Sequence, residues 1–174
     1  MSDFSPEEVQ QMLDNLDNFS EEEVIQIEKM VDELDNRHKN QAAYDDLIEF
    51  CKRMMPDFIV GKHHRILADM LMGLEDGSKD RACVNIPPRH GKSQLVSIFF
   101  PAWFLGRNPD KKVMMVSHTT DLAVDFGRKV RNLLGLQDYK DIFPTVQLAT
   151  DSKSAGRWNT NMGGEYYACG VGSA

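Results

Sequence analysis

The sequence is poor in cysteine. Its three cysteines, Cys51, Cys83 and Cys169, are an odd number without paired spacing. That argues against a disulfide framework and a cysteine zinc site, and for a reducing compartment. Long apolar runs are also missing, and no stretch approaches the length of a membrane-spanning helix. The first residues are acidic and polar, so no secretory signal is expected. The adjacent histidines His63 and His64 lack the companions of a metal-ligand set and read as surface or loop-packing residues. One further absence bears on chemistry. No apolar strand followed by paired acidic residues occurs after Ser93, and nucleotide hydrolysis needs such residues to position Mg2+ and activate water.

What is present is enough for a packed core. A chain of 174 residues with 41% hydrophobic content suits one domain with a small appendage. The net charge of -7 is unevenly spread: residues 1–50 carry a net -12 and residues 51–174 a net +5. Such a split marks either different partners for the two parts or an acidic face that keeps the leading helices soluble.

The chain is organised around Ile86-Pro87-Pro88-Arg89-His90-Gly91-Lys92-Ser93. The apolar run Ala82-Cys83-Val84-Asn85-Ile86 before it reads as a buried strand, and Gln94 to Leu105 after it as a helix. Strand, tight loop, Gly-Lys-Ser and helix form the context of a phosphate-binding loop. The first N–H groups of a helix have no intrahelical partner, and its dipole adds positive charge at the same end. Together they form a socket for phosphates. Arg89, His90, Gly91, Lys92, Ser93 and Gln94 are therefore the candidate nucleotide-binding residues. Gly91 admits close backbone approach, Lys92 places an ammonium between the terminal phosphates, and Ser93 offers a hydroxyl to Mg2+. The pattern departs from the usual one, because Ile86 stands where the first glycine belongs and Pro87 and Pro88 have no N–H to donate. The competing reading is an ordinary strand–turn–helix with an exposed lysine.

The segment Cys83 to Ser93 resembles the variant phosphate loop of the large terminase subunits of tailed phages. Gly61-Lys62-His63-His64-Arg65 leading into Leu67-Ala68-Asp69-Met70-Leu71 is similar to the segment before that loop. Val113 to His118 with Leu122-Ala123 resembles the second strand and its helix, and Gly163 to Gly172 the glycine-rich hairpin before the next motif. The likeness covers about positions 57 to 174 and is loose before that.

The resemblance implies an ATP-driven DNA-packaging motor with ATP and Mg2+ as cofactors. It implies double-stranded DNA, a portal and a small terminase subunit as partners. The full-length protein would form a homo-oligomeric ring in the host cytoplasm, with no membrane attachment. It also implies catalytic roles for Lys92 and for Arg89, the one arginine in the loop, as a sensor of the terminal phosphate. In some relatives that arginine stands one place earlier, at Pro88 here, which leaves a loop-holding role for Arg89 open. The segment before the first strand would contact adenine, with Phe58, His63 and His64 as its candidates, and Arg157 is a candidate for action across a subunit boundary. The chain is expected to be the front portion of a longer protein, ending before the acidic strand and the nuclease domain, and so not fully active alone. The alternatives are a non-catalytic docking module of the packaging machine and a helicase-like P-loop ATPase.

The expected architecture is α/β: an incomplete P-loop NTPase parallel sheet with flanking helices at residues 39–174, preceded by an acidic helical hairpin at 1–38. Ser5-Pro6-Glu7-Glu8 and Ser20-Glu21-Glu22-Glu23 both read as capped helix starts. Val9, Met12, Leu13 and Leu16, then Val24, Ile27, Val31 and Leu34, form the two apolar stripes. Those stripes pack on the chain's own domain or dock another subunit. Asn36 to Asn40 reads as a break before a third helix from Tyr44 to Met55, and His64 to Leu74 as a fourth. Pro101 is expected to kink or restart the helix after the loop. Lys112 to Val116 is a second strand, and Ser117 or Thr119 caps a helix whose outer face carries Arg128, Lys129 and Arg131, either for DNA phosphates or as a solvated face. A hairpin from Gly156 to Val171 closes the chain.

Overall fold

The computed structural model describes residues 19–150 and 154–172. The first helix of the expected hairpin lies outside the described residues. The chain divides into two compact units, Met1–Gln41 and Ala42–Ala174.

Helix α1 spans Glu21–Asp45. Its start is the expected capping box: the Ser20 N–H donates to Glu23 Oε2 at 2.9 Å, and the Glu23 N–H donates to Ser20 Oγ at 3.4 Å. The break expected at Asn36 to Asn40 does not occur, since α1 runs through it. The stretch holds neither glycine nor proline, and Lys39 pairs with Asp35 one turn back at 2.5 Å. The break comes at Asp46, whose carboxylate accepts from the N–H groups of Ile48 and Glu49 at 2.7 and 3.0 Å and caps α2, Leu47–Met54. The third helix thus starts later than expected, with Tyr44 at the end of α1.

Helix α3 spans Lys62–Glu75. After the loop, Lys92–Gln94, a π-helical turn Leu95–Phe99 and Phe100–Arg107 follow without interruption and form α4, residues 92–107. The expected effect of Pro101 appears as this π turn rather than as a break. Proline lacks an N–H and crowds the carbonyl four residues back; a widened turn just before it relieves both. Leu95, Phe99, Ala102, Trp103 and Leu105 of α4 are buried, as expected of a helix that is apolar nearly all round.

Strand β1, Lys112–Ser117, leads through Thr119, whose hydroxyl accepts from the Leu122 N–H, into α5, Thr120–Leu134. A short α6, Gln137–Ile142, then precedes β2, Arg157–Asn159, and β3, Glu165–Gly170. The sheet order is β1-β3-β2. β1 and β3 are parallel, with Lys112 opposite Glu165 and Ser117 opposite Gly170, while β2 is antiparallel to β3. The sheet is therefore mixed: β1 and β3 form the expected parallel pair, and β2 with β3 the expected closing hairpin. The tight connection through Asn161 to Gly164 dictates the antiparallel edge, because only antiparallel neighbours can be joined by so short a loop. α5 packs across β1 and β3. Trp158 and Tyr166 stack 5.0 Å apart beneath it, and the Trp158 indole donates to the Gly127 carbonyl. The core joins Leu47, Phe50, Leu67, Leu71, Leu95, Phe99 and Trp103 to Val130, Leu134, Tyr139 and Phe143.

The run 82–86 is not a strand of this sheet. Val84 and Ile86 are half-buried while Ala82, Cys83 and Asn85 are exposed. The run keeps the period-two burial of an extended segment, but the sheet contains no ladder partner for it. Alternation alone thus did not define a strand here.

Candidate functional site

The loop that opens α4 is built by two left-handed residues. Arg89 has φ 66 and is the non-glycine residue with positive φ among the described residues; Gly91 has φ 73. Residues 88–91 form a turn, and the helix starts at Lys92 with Gly91 as its N-cap. Arginine in this conformation costs about 1 kcal/mol or more, whereas glycine adopts it freely.

The consequence is a helix start with unused donors. The first bond closing the helix runs from the Leu95 N–H to the Gly91 carbonyl at 3.0 Å. Among the described residues, the backbone N–H groups of residues 89–94 have no acceptor within the chain. Arg89, His90 and Ser93 are exposed, and Gly91, Lys92 and Gln94 are half-buried. Neither Arg89 nor Lys92 has an ion-pair partner among the described residues. The loop thus gathers two cations without ion-pair partners, a serine hydroxyl and a row of amides without acceptors, and carries no carboxylate. Such an arrangement attracts anions.

Beneath the loop lies His64, 7% exposed, at the third position of α3. Its Nδ1 accepts from the Gly61 N–H at 3.0 Å, and its Nε2 lies 3.1 Å from the His90 carbonyl oxygen. The His63 ring sits against it, with centroids 3.9 Å apart. Phe58 is 5.1 Å from His64 by ring centroids. Burial, above all, holds the His64 imidazole below its ordinary value of 6.5; the carbonyls of His90 and Ile59 push the other way, and His63 and His90 add to the depression. Sequence reading picked out Phe58, His63 and His64 and missed the bond from His64 to the loop. The available signal was a histidine at the third helical position after Gly61, where side chains reach back to free N–H groups.

The other candidates do not join this site. Arg157 is held by Glu165, 2.6 Å away, and lies over the Tyr167 ring on the sheet. On α5, Asp125 pairs with Arg128 and with Lys129, the latter at 2.7 Å, and both cations hold its carboxyl below the usual range. One carboxylate thus pairs with two of the three basic residues proposed for DNA contact and offsets one of their two charges. A cavity of about 300 Å³ is lined by Lys112, Val113, Met114, Arg157, Glu165 and Tyr167 and contains none of the loop residues. It opens near the amino ends of β1 and β3, whereas ligands of open α/β sheets bind at the carboxyl ends. We therefore place the candidate site at the loop and not at this cavity. No group of three or more metal-ligating side chains occurs among the described residues.

Residues 83–155 match the family model described as terminase large subunit, T4likevirus-type, N-terminal. The match supports the resemblance to a phage large terminase subunit and covers the loop, α4, β1 and α5. No curated protein and no solved structure matches the chain.

Proposed function

We propose that the chain, with residues 83–155 matching the N-terminal segment of large terminase subunits, is the ATP-binding portion of such a subunit. The supporting observation is the start of α4: amides of residues 89–94 without acceptors, beside the unpaired Arg89 and Lys92. A triphosphate would accept from those amides, with Lys92 neutralising its terminal charge and Arg89 reaching the outermost phosphate. The exposed Ser93 has no hydrogen-bond partner among the described residues. It fits the role of a Mg2+ ligand, the ion supplying charge neutralisation at the phosphate oxygens.

The parent motor would translocate double-stranded DNA into the capsid, working in the host cytoplasm with a portal, a small terminase subunit and further copies of itself. No helix among the described residues is long and apolar enough to cross a membrane. Calorimetric titration of ATP–Mg2+ into the parent chain and Lys92→Ala tests the binding claim. We expect saturable binding that is lost in the variant while its circular dichroism is unchanged; equal binding by both would contradict it. Phosphate release separates a turning-over ATPase from a docking module that only holds nucleotide.

A further inference from the structure

The hydrogen bonds around His64 fix its proton. A backbone N–H only donates, so Nδ1, which receives the Gly61 N–H at 3.0 Å, carries no proton. A carbonyl oxygen only accepts, so Nε2, 3.1 Å from the His90 carbonyl, carries one. His63 Nε2 lies 3.1 Å from His64 Nε2, on the same side of the ring as the His90 carbonyl. His90 Nδ1 is 2.9 Å from the Pro88 carbonyl and donates to it.

The His64 ring also limits what can stand above it. A Cβ built on Gly91 would lie 2.6 Å from His64 Nε2 and 3.5 Å from Cδ2 and Cε1. Glycine is thus required twice at position 91, by its positive φ and by this ring. The loop spans the two left-handed residues, Arg89 and Gly91, and His90 between them is the residue whose carbonyl His64 holds.

We infer that His64, as the neutral Nε2–H tautomer, is the positioning residue that clamps the His90 carbonyl and holds the loop in its left-handed turn. Its bearing on ligand binding rests on the nucleotide reading above; the clamp itself does not. One nitrogen anchors the ring to the start of α3, and the other holds the loop. The ring thereby ties the segment before the loop to the loop itself.

Two substitutions separate the nitrogens. His64→Gln keeps an N–H near the Nε2 position and loses the acceptor for Gly61. His64→Asn keeps an acceptor near Nδ1 and loses the reach to His90. On the parent chain labelled with 15N-histidine, long-range proton–nitrogen spectra should show His64 protonated on Nε2. The Leu95 amide, which closes the loop onto the Gly91 carbonyl, should exchange about fivefold faster in His64→Asn, the equivalent of one hydrogen bond lost, and stay near the parent rate in His64→Gln. ATP–Mg2+ affinity should follow the same order. A proton on Nδ1, or equal exchange in the two variants, would overturn the clamp. Should His64→Asn not fold, the tautomer and His64→Gln still decide. If the exchange pattern appears but the parent chain binds no ATP–Mg2+, the clamp stands and the nucleotide reading falls.

Discussion

Trp103 on α4 donates its indole N–H to two carbonyls at the end of α1, those of Ala43 and Tyr44, each at 3.1 Å. The last carbonyls of a helix have no intrahelical donor, and α1 has no basic residue in its last turn to supply one. Arg107, over the Trp103 ring at 4.9 Å, adds a bond from Nη1 to the Tyr44 carbonyl at 3.0 Å and a bond from Nε to Glu75 at 3.1 Å. The helix that begins at the candidate site is thereby fixed at its far end to Ala43, Tyr44 and Glu75.

Trp103→Phe keeps an aromatic ring in this place and removes the donor. It leaves a buried Ala43 carbonyl unsatisfied and should cost about 1–3 kcal/mol. Urea unfolding followed by circular dichroism checks this: a lowered midpoint with an unchanged slope is expected. A midpoint equal to that of the parent would show that water replaces the indole.

Gly91→Ala should be costly for so small a change. The left-handed backbone alone penalises a side chain by about 1–2 kcal/mol, and the new methyl also meets His64. We expect lower stability in urea, only partly recovered by adding His64→Ala, since that removes the clash and leaves the strain. Full recovery in the double variant would mean that the positive φ of Gly91 carries no cost.

His64 also sets a pH dependence. Its folded-state value is depressed, chiefly by burial, so the unfolded chain binds the proton more readily. Its contribution to stability is then complete above the ordinary 6.5 and is lost as pH falls through the depressed value. Between about pH 7 and pH 5, the urea midpoint of the parent should fall more steeply than that of His64→Gln, in which this group no longer titrates. Parallel lines for the two proteins would refute the assignment.

Much of this was legible in the residues. Ser117 or Thr119 announced the start of α5, with Thr119 the cap, and Asn161 to Gly164 announced the hairpin, because capping and tight turns are local chemistry. The Gly-Lys-Ser helix start was legible for the same reason. Local signals failed where partners decide. Residues 82–86 have a strand's alternation and no partner in the sheet, and Asn36 to Asn40 looked like a break although it holds neither glycine nor proline to stop a helix. The positive φ of Arg89 and the reach of His64 to a residue 26 positions away depend on tertiary placement, which spacing alone does not disclose.

The nucleotide reading requires the acceptor-free amides at the start of α4 to receive phosphate. Amide spectra of the 15N-labelled chain titrated with ATP–Mg2+ test it most directly. The resonances of Gly91, Lys92, Ser93 and Gln94 should shift first and saturate together, and Lys92→Ala should weaken the response. Those four resonances staying in place at saturating ATP–Mg2+ would contradict it.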